Sequence, residues 1–252
     1  MSRPADPIFA DPRLARIYDD IDGDRDDLDL YVDIVGELDA RRVLDIGCGT
    51  GTLACRLTGR GIDVVGVDPA LASLDIARGK PGADAVTWIH GDATALPPDP
   101  PLADLAVMTG NVAQVFVTDH EWSAALDGIG RALRADGRLV FETRNPARRA
   151  WENWDTDGVP TRHTTAVGDV DTWTSVLDVA VPLVSFRHHH RFVASQEIVT
   201  SDSTLRFRSL DEIEADLAAH GFDVDEVRDA PDRPGLEFVV IAHRSPSRAA
   251  PA

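Results

Sequence analysis

Short runs of β-branched and aliphatic residues alternate with helical patterns from residue 41 onward. These runs predict strands at 42–46, 63–68, 86–90, 102–108 and 137–144. Hydrophobic residues at helical spacing predict helices between them, at 51–58, 71–78 and 119–133. Because strands that alternate with helices form βαβ units, this region predicts a mostly parallel sheet that is buried on both faces.

The N-terminal forty residues have a different pattern. A dense acidic stretch at 19–29 precedes a segment in which Leu30, Ile34, Val35 and Leu38 recur at helical spacing. This combination predicts a solvated helical cap at 1–40.

The helical pattern also disappears after Pro146. Alternating hydrophobic and polar residues at 171–179 and 183–193 predict an antiparallel insert. A capping-box pattern of Ser209 with Glu212 then predicts a last helix, followed by strands at 223–228 and 236–243. We expect the Ser-, Pro- and Ala-rich tail at 245–252 to be frayed.

Charge and composition narrow the classes of function. The 252 residues include 25 basic and 43 acidic side chains, for a formal charge of −18. This charge repels phosphate backbones and anionic lipids, so we expect a small-molecule partner, no nucleic acid and no membrane. Two cysteines exclude a disulfide framework, and the N-terminus lacks the basic start and apolar core of a signal peptide. A cytoplasmic location follows as the expectation.

The strongest chemical signal is the segment Asp45-Ile46-Gly47-Cys48-Gly49-Thr50-Gly51, which follows a predicted buried strand and opens a helix. Glycines permit a tight turn and close approach of a ligand to the backbone, and the helix start offers free N–H donors. A nucleoside ligand fits this arrangement. Thr52 stands where the third glycine of the dinucleotide fingerprint belongs, which disfavours NAD.

Two acidic residues end the next two strands. Asp68 lies 17 residues after Gly51, at a place from which a carboxylate can accept both ribose hydroxyls of a nucleoside. Asp92 follows the third strand and can accept an adenine amino proton.

These motifs, in this order and spacing, resemble the class I S-adenosylmethionine-dependent methyltransferases of small-molecule type, a group that includes the menaquinone C-methylases. The resemblance covers 41–144 and, more weakly, the last forty residues. It implies an α/β fold with a doubly wound, seven-stranded, mostly parallel sheet, the Rossmann-like methyltransferase fold, with an antiparallel β insert after the fifth strand. It also implies S-adenosylmethionine as cofactor and methyl transfer to a small molecule as activity.

The resemblance divides the chain into a helical cap at 1–40, a cofactor-binding core at 41–145, an insert over the acceptor site at 146–204, and a completing segment at 205–252. The cofactor residues that it implies are Asp45, Gly47, Cys48, Gly49, Gly51, Asp68, Pro69, Asp92, Ala93, Met108 and Thr109, joined by Tyr18 and Arg25 from the N-terminal segment.

Candidates for the acceptor site lie after the fourth and fifth strands and in the insert. They are Asn111, Gln114, Arg144, Trp151, Trp154 and His163. Aromatic side chains can form the walls of an acceptor site, or they can simply pack the insert against the sheet. Both interpretations stay open here.

No histidine stands out as a general base, and the catalytic residue stays unassigned. Residues 188–190 are all histidine, but they alternate along a strand and cannot converge on one metal, so no metal is expected. Two competing hypotheses are a non-catalytic module that binds S-adenosylmethionine and, less favoured, an NAD(P)-binding oxidoreductase. The acceptor atom (O, N or C) and the oligomeric state stay open.

Overall fold

A computed structural model describes residues 3–97 and 102–245. Within these ranges the strands are β1 (Arg42–Ile46), β2 (Asp63–Asp68), β3 (Val86–His90), β4 (Ala103–Met108), β5 (Leu133–Arg144), β6 (Thr161–Thr165), β7 (Gly168–Ala180), β8 (Leu183–Phe192), β9 (Glu197–Arg206), β10 (Phe222–Asp229) and β11 (Glu237–Arg244). The helices are α1 (Pro7–Ala10), α2 (Pro12–Asp22), α3 (Asp27–Glu37), α4 (Thr52–Thr58), α5 (Leu71–Arg78), α6 (Asp119–Ala132) and α7 (Leu210–Ala219).

Seven strands form one sheet in the order β3-β2-β1-β4-β5-β11-β10. The contacts between β1, β2, β3, β4 and β5 are parallel, whereas β11 is antiparallel to both of its neighbours. The predicted fold, with a reversed last strand, is confirmed. The chain order changes direction between β1 and β4, and ligands of open α/β sheets bind at the carboxyl edge of such a switch point.

Hydrophobic residues bury both faces of this sheet, as its nearly continuous apolar strands predict. One face packs against α6 and α7 through Trp122, Leu126 and Leu217. The other face packs against α3 and α4, with Ile34 and Leu57 fully buried. The predicted capping box of Ser209 with Glu212 is present at the start of α7, and Thr118 with Glu121 forms another at the start of α6. Polar side chains that could bind a ligand are therefore expected at the edges of the sheet.

The N-terminal segment is not the solvated cap that the acidic stretch predicts. Helix α3 contributes Leu28, Tyr31 and Val35 to the core, and α2 buries Leu14 and Ile17 against the insert. The acidic side chains occupy the other faces of these helices. The apolar residues that recur at helical spacing in α3 are thus the ones that pack on the core.

The insert is a separate four-stranded antiparallel sheet in the order β6-β7-β8-β9. Its two central strands follow the predicted pattern, whereas β6 and β9 were not predicted as strands. Strand β9 ends at Arg206, beyond the boundary expected at residue 204. Of the tail expected to be frayed, residues 246–252 lie outside the described part of the chain.

Across the described ranges, every helix is too short or too polar to span a membrane.

Candidate functional site

A cavity of about 330 Å³ lies at the carboxyl edge of the large sheet. Residues that follow β1, β2, β3 and β4 line it, together with residues from the N-terminal segment and the start of α6. The cavity coincides with the point where the strand order reverses, as expected for a ligand site in this fold.

The glycine loop forms the floor of the cavity. Gly47, Gly49 and Gly51 have φ angles of 71°, 53° and 78°, a region that residues with a Cβ rarely adopt. A Cβ on Gly47 would lie 2.5 Å from a methyl group of Val112. A Cβ on Gly49 would meet no described atom within 4 Å, so it would project into open space. Gly49 therefore leaves room for a ligand to approach the backbone.

Asp68, at the end of β2, holds this loop in place. Its Oδ2 accepts a hydrogen bond of 2.8 Å from the Gly49 N–H, and its Oδ1 accepts one of 2.7 Å from the Ala70 N–H. Burial raises the pKa of Asp68, although these two backbone donors act in the opposite direction. A carboxylate oxygen can accept a further hydrogen bond, so the residue keeps acceptor capacity toward the cavity.

Asp45, on β1, is the unusual polar group of the site. Its side chain lines the cavity and is 1% exposed, yet neither carboxylate oxygen has a hydrogen-bond partner among the described residues. Burial, followed by repulsion from Asp68, raises the pKa of Asp45 to about 7. Because an unpartnered buried carboxylate is costly, a cationic hydrogen-bond donor in the cavity would stabilise it.

Arg25 and Tyr18 close one side of the cavity from the N-terminal segment. The Arg25 guanidinium donates two hydrogen bonds of 2.9 Å to Asp27 and lies 3.1 Å from an oxygen of Asp22. Tyr18 contacts the ring of Phe9 at a centroid distance of 5.5 Å, and its burial raises the pKa of its hydroxyl. The arginine is thus fixed in place by two acidic neighbours.

At the other end of the cavity, Asp92 caps the short turn that follows β3. Its Oδ1 accepts hydrogen bonds from the backbone N–H of Thr94, at 2.8 Å, and from the Thr94 hydroxyl, at 2.5 Å. His120 and Glu121, at the start of α6, complete this end.

The structure brings together ten of the thirteen residues predicted to bind the cofactor. Those that line the cavity are Asp45, Gly47, Cys48, Gly49, Asp68, Pro69, Asp92, Thr109, Tyr18 and Arg25. Gly51, Ala93 and Met108 lie behind this layer: Gly51 is against Trp88, Ala93 is against Gly128 of α6, and Met108 is fully buried in the core. Contact of any of these residues with a ligand stays a prediction.

None of the six predicted acceptor residues lines the cavity in the described structure. Asn111 and Gln114 are buried; Asn111 Nδ2 donates to Glu237 Oε1 at 3.1 Å, and Gln114 Oε1 accepts from Arg144 at 2.9 Å. Gln114 Nε2 also donates to the Arg206 carbonyl at 3.4 Å, and Arg144 Nε lies 3.6 Å from Glu237, whereas the buried Asn111 Oδ1 has no hydrogen-bond partner among the described residues.

The aromatic candidates pack against protein as well. Trp151 meets Phe207 edge-on at 4.6 Å, and Arg144 lies 5.3 Å above the ring of Trp154. His163 contacts the Thr172 hydroxyl at 3.0 Å within the insert sheet. Of the two interpretations left open for the aromatic residues, the observed contacts favour packing, and a role in acceptor binding stays a prediction.

Several cavity residues were not predicted from the sequence. Phe9 and residues 3–6 line the cavity because of where the N-terminal segment with α1 and α2 lies, and no local sequence pattern predicted that position. The capping box that starts α6 is the signal that could have indicated His120 and Glu121, since that helix begins at the carboxyl edge of the sheet.

In the part of the chain that the structure describes, no group of three or more His, Cys, Asp or Glu side chains could hold a metal ion.

The sequence is similar to those of known methyltransferases. Residues 43–137, which contain the glycine loop, match the family model described as a methyltransferase domain. An uncharacterized methyltransferase of Mycobacterium bovis is 32% identical over 200 residues, covering 72% of this chain and 75% of that protein. A demethylmenaquinone methyltransferase of Renibacterium salmoninarum is 35% identical over 111 residues, covering 44% of each chain.

The fold has a similar counterpart among solved structures. The sugar N-methyltransferase KedS8 from Streptoalloteichus superimposes with a TM-score of 0.73, covering 97% of this chain and 96% of that one, at 16% identity. The likeness therefore includes the insert as well as the core. From the relationship to the mycobacterial protein over most of both chains, the chain belongs to the family that its sequence resembles, the class I S-adenosylmethionine-dependent methyltransferases.

Proposed function

We propose that this protein transfers a methyl group from S-adenosylmethionine to a small-molecule acceptor and releases S-adenosylhomocysteine. The observation that carries the proposal is the buried, unpartnered Asp45 carboxylate in a cavity floored by the glycine loop. The cofactor supplies an activated methyl group on a sulfonium, so the protein has mainly to bind, orient and exclude water.

The residues present fit this cofactor. Asp45 would accept hydrogen bonds from its ammonium group, Asp68 from its ribose hydroxyls and Asp92 from its adenine amino group. The open space beside Gly49 would allow the ligand to lie against the backbone. The Arg25 guanidinium, on the same side of the cavity as Tyr18, would attract the cofactor carboxylate.

The acceptor is proposed to be a small molecule rather than a nucleic acid or a membrane component. The chain carries a formal charge of −18, which repels phosphate-rich partners. The names of the demethylmenaquinone and sugar methyltransferases indicate small-molecule acceptors for those proteins, and this supports a similar class here.

Titration calorimetry with S-adenosylmethionine, S-adenosylhomocysteine and NAD in parallel tests the cofactor assignment. We expect binding of the first two ligands and none of NAD. An acceptor screen that measures release of S-adenosylhomocysteine then tests turnover. Absence of binding to either adenosyl ligand by folded protein would contradict the proposal. NAD binding would instead support the oxidoreductase hypothesis.

The non-catalytic hypothesis makes a different prediction in the same two experiments. It expects tight binding of S-adenosylmethionine and no acceptor-dependent product across the screen. The calorimetric and turnover measurements therefore separate an enzyme from a binding module.

A further inference from the structure

The loop that follows β4 has two consecutive residues in the left-handed backbone conformation. Gly110 and Asn111 both have positive φ angles, 71° and 61°. Glycine adopts this conformation freely and asparagine does so more readily than most residues, and hydrogen bonds from the surroundings add support. Thr109, Gly110 and Val112 of this loop line the cavity.

The support is a buried carboxylate on the neighbouring strand. Glu142, on β5, is 4% exposed, and its Oε1 accepts hydrogen bonds from the N–H groups of Gly110, at 2.7 Å, and Asn111, at 3.0 Å. Its Oε2 accepts a short hydrogen bond from the Tyr31 hydroxyl. One side chain therefore holds two consecutive backbone amides of the cavity wall, and is itself held by the core helix α3.

The Asn111 side chain is fixed by a second buried carboxylate. Its Nδ2 donates to Glu237 Oε1, and Arg233 donates to the same oxygen at 2.7 Å. Glu237 is 3% exposed. The loop is thus anchored below the cavity by both its backbone and its side chain.

The loop borders the part of the cavity that Gly47 and Arg25 form. Val112 lies against Gly47, and the space beside Gly110 is bounded by the Arg25 guanidinium, 4.0 Å from where a Cβ would stand. Asp45 lines the same cavity at the end of β1, next to β4 in the sheet. Asp92 and His120 belong to the other end.

We propose that Glu142 is a positioning residue that fixes the amino-acid end of the cofactor site through the backbone of Gly110 and Asn111. The proposal rests on the proposed function. It assigns no contact between Glu142 and a ligand. Loss of this carboxylate would displace the wall beside Gly47 and Arg25 and leave the nucleoside end unchanged.

Two ligands that differ only at the amino-acid end test this inference. S-adenosylhomocysteine carries the amino-acid group, and 5′-methylthioadenosine lacks it. For Glu142→Ala we expect affinity for S-adenosylhomocysteine to fall about tenfold or more, the scale of one lost hydrogen bond to a charged group, and affinity for 5′-methylthioadenosine to change less than about twofold. Glu142→Gln, which retains an oxygen for the two amides, should restore S-adenosylhomocysteine affinity to within about threefold of the native value.

Because Glu142→Ala leaves buried donors unpaired and can fail to fold, Glu142→Asp is the second variant. It retracts the carboxylate by one methylene and should show the same selective loss. Each variant is checked by circular dichroism and thermal unfolding before titration.

Asp104 provides a matched control at the opposite end of β4. Its Oδ2 accepts hydrogen bonds from two consecutive backbone amides, those of Arg41 at 2.6 Å and Arg42 at 2.9 Å. We expect Asp104→Ala to lower thermal stability and to leave both affinities unchanged.

The pattern across ligands decides the outcome. Equal weakening of both ligands by the Glu142 variants, or no weakening of either by a folded variant, would overturn the positioning role. So would selective weakening by Asp104→Ala. If the native protein binds neither S-adenosylmethionine nor S-adenosylhomocysteine, the proposed function itself fails, and that result is distinct from a failure of Glu142.

Discussion

The two sheets of this protein use their polar side chains in different ways. In the seven-stranded sheet the faces are apolar, and the acidic residues Asp45 and Asp68 stand at the carboxyl edge, where they line the cavity. In the insert sheet, polar side chains pair with one another across strands, as Asp171 does with Arg162 and Arg191. The unpaired Asp45 carboxylate is therefore available to a ligand, whereas the Asp171 carboxylate is used within the insert sheet itself.

Two alanine substitutions test this contrast and have the largest expected effect. Asp68→Ala removes the acceptor of the Gly49 and Ala70 amides and the proposed ribose contact. We expect S-adenosylhomocysteine affinity to fall by at least about tenfold in calorimetry. Asp171→Ala, which removes the acceptor of two arginines, should lower thermal stability and leave this affinity unchanged. Equal affinities of the Asp68 variant and the native protein would refute the role at the edge.

Replacement of Asp45 tests the role of the unpaired edge carboxylate through the pH dependence of stability. The pKa of Asp45 is about 7 in the folded protein against an ordinary value of 3.8, so between these pH values the folded state retains a proton that the unfolded state has lost. This proton stabilises the ligand-free folded protein fully below about pH 4, and the stabilisation is lost as the pH rises to about 7. Asp45→Asn should therefore raise the Tm at pH 8 and change it little at pH 4.

Ligand binding should show the opposite trend. Native affinity for S-adenosylhomocysteine should increase as the pH rises through about 7, since the ionised carboxylate attracts the ligand ammonium group. Asp45→Asn should bind more weakly at pH 8 and lose this dependence. A native affinity that is flat between pH 6 and pH 8, measured by calorimetry in matched buffers, would contradict the assigned contact.

The smallest effect is expected for an exposed pair in the insert. Arg187 donates two hydrogen bonds to Asp202, but both side chains are more than a third exposed. Exposed ion pairs contribute little, so Arg187→Ala should change the Tm by no more than about 1 °C and leave ligand affinity unchanged. The Tm is measured by differential scanning fluorimetry at low and high salt. A larger decrease in Tm would show that the cross-strand pairs of the insert sheet act as a cooperative network.

Much of the core could be predicted because its signals are local. Alternation of apolar strands and helices indicated βαβ units, and β1, β2, β3 and α5 have the predicted bounds. The insert was harder to predict, since strands β6 and β9 are rich in threonine, serine and charged residues. Such strands depend on pairing with distant neighbours, and pairing leaves little trace in a single sequence.

The residues of the candidate site also divide into those with a local sequence signal and those placed by distant contacts. Asp45 and Asp68 lie at the carboxyl ends of buried strands and the alternate glycines follow one of them directly, so their places at the carboxyl edge were predictable. Asn111 and Gln114 also follow a strand, but their side chains hydrogen-bond to Glu237 and Arg144 and do not line the cavity. Phe9 lines the cavity only because α1 and α2 lie between the core and the insert.

The fold class, the glycine loop and the acidic strand ends could be predicted from the sequence, because each depends on residues that are close together along the chain. Which acidic groups remain unpaired depends on how the folded chain packs. Asp45 lacks a partner while Asp171 has two, and Glu142 holds a loop some thirty residues away. These differences arise from contacts between distant segments, because the burial and hydrogen bonding of a side chain are set by packing.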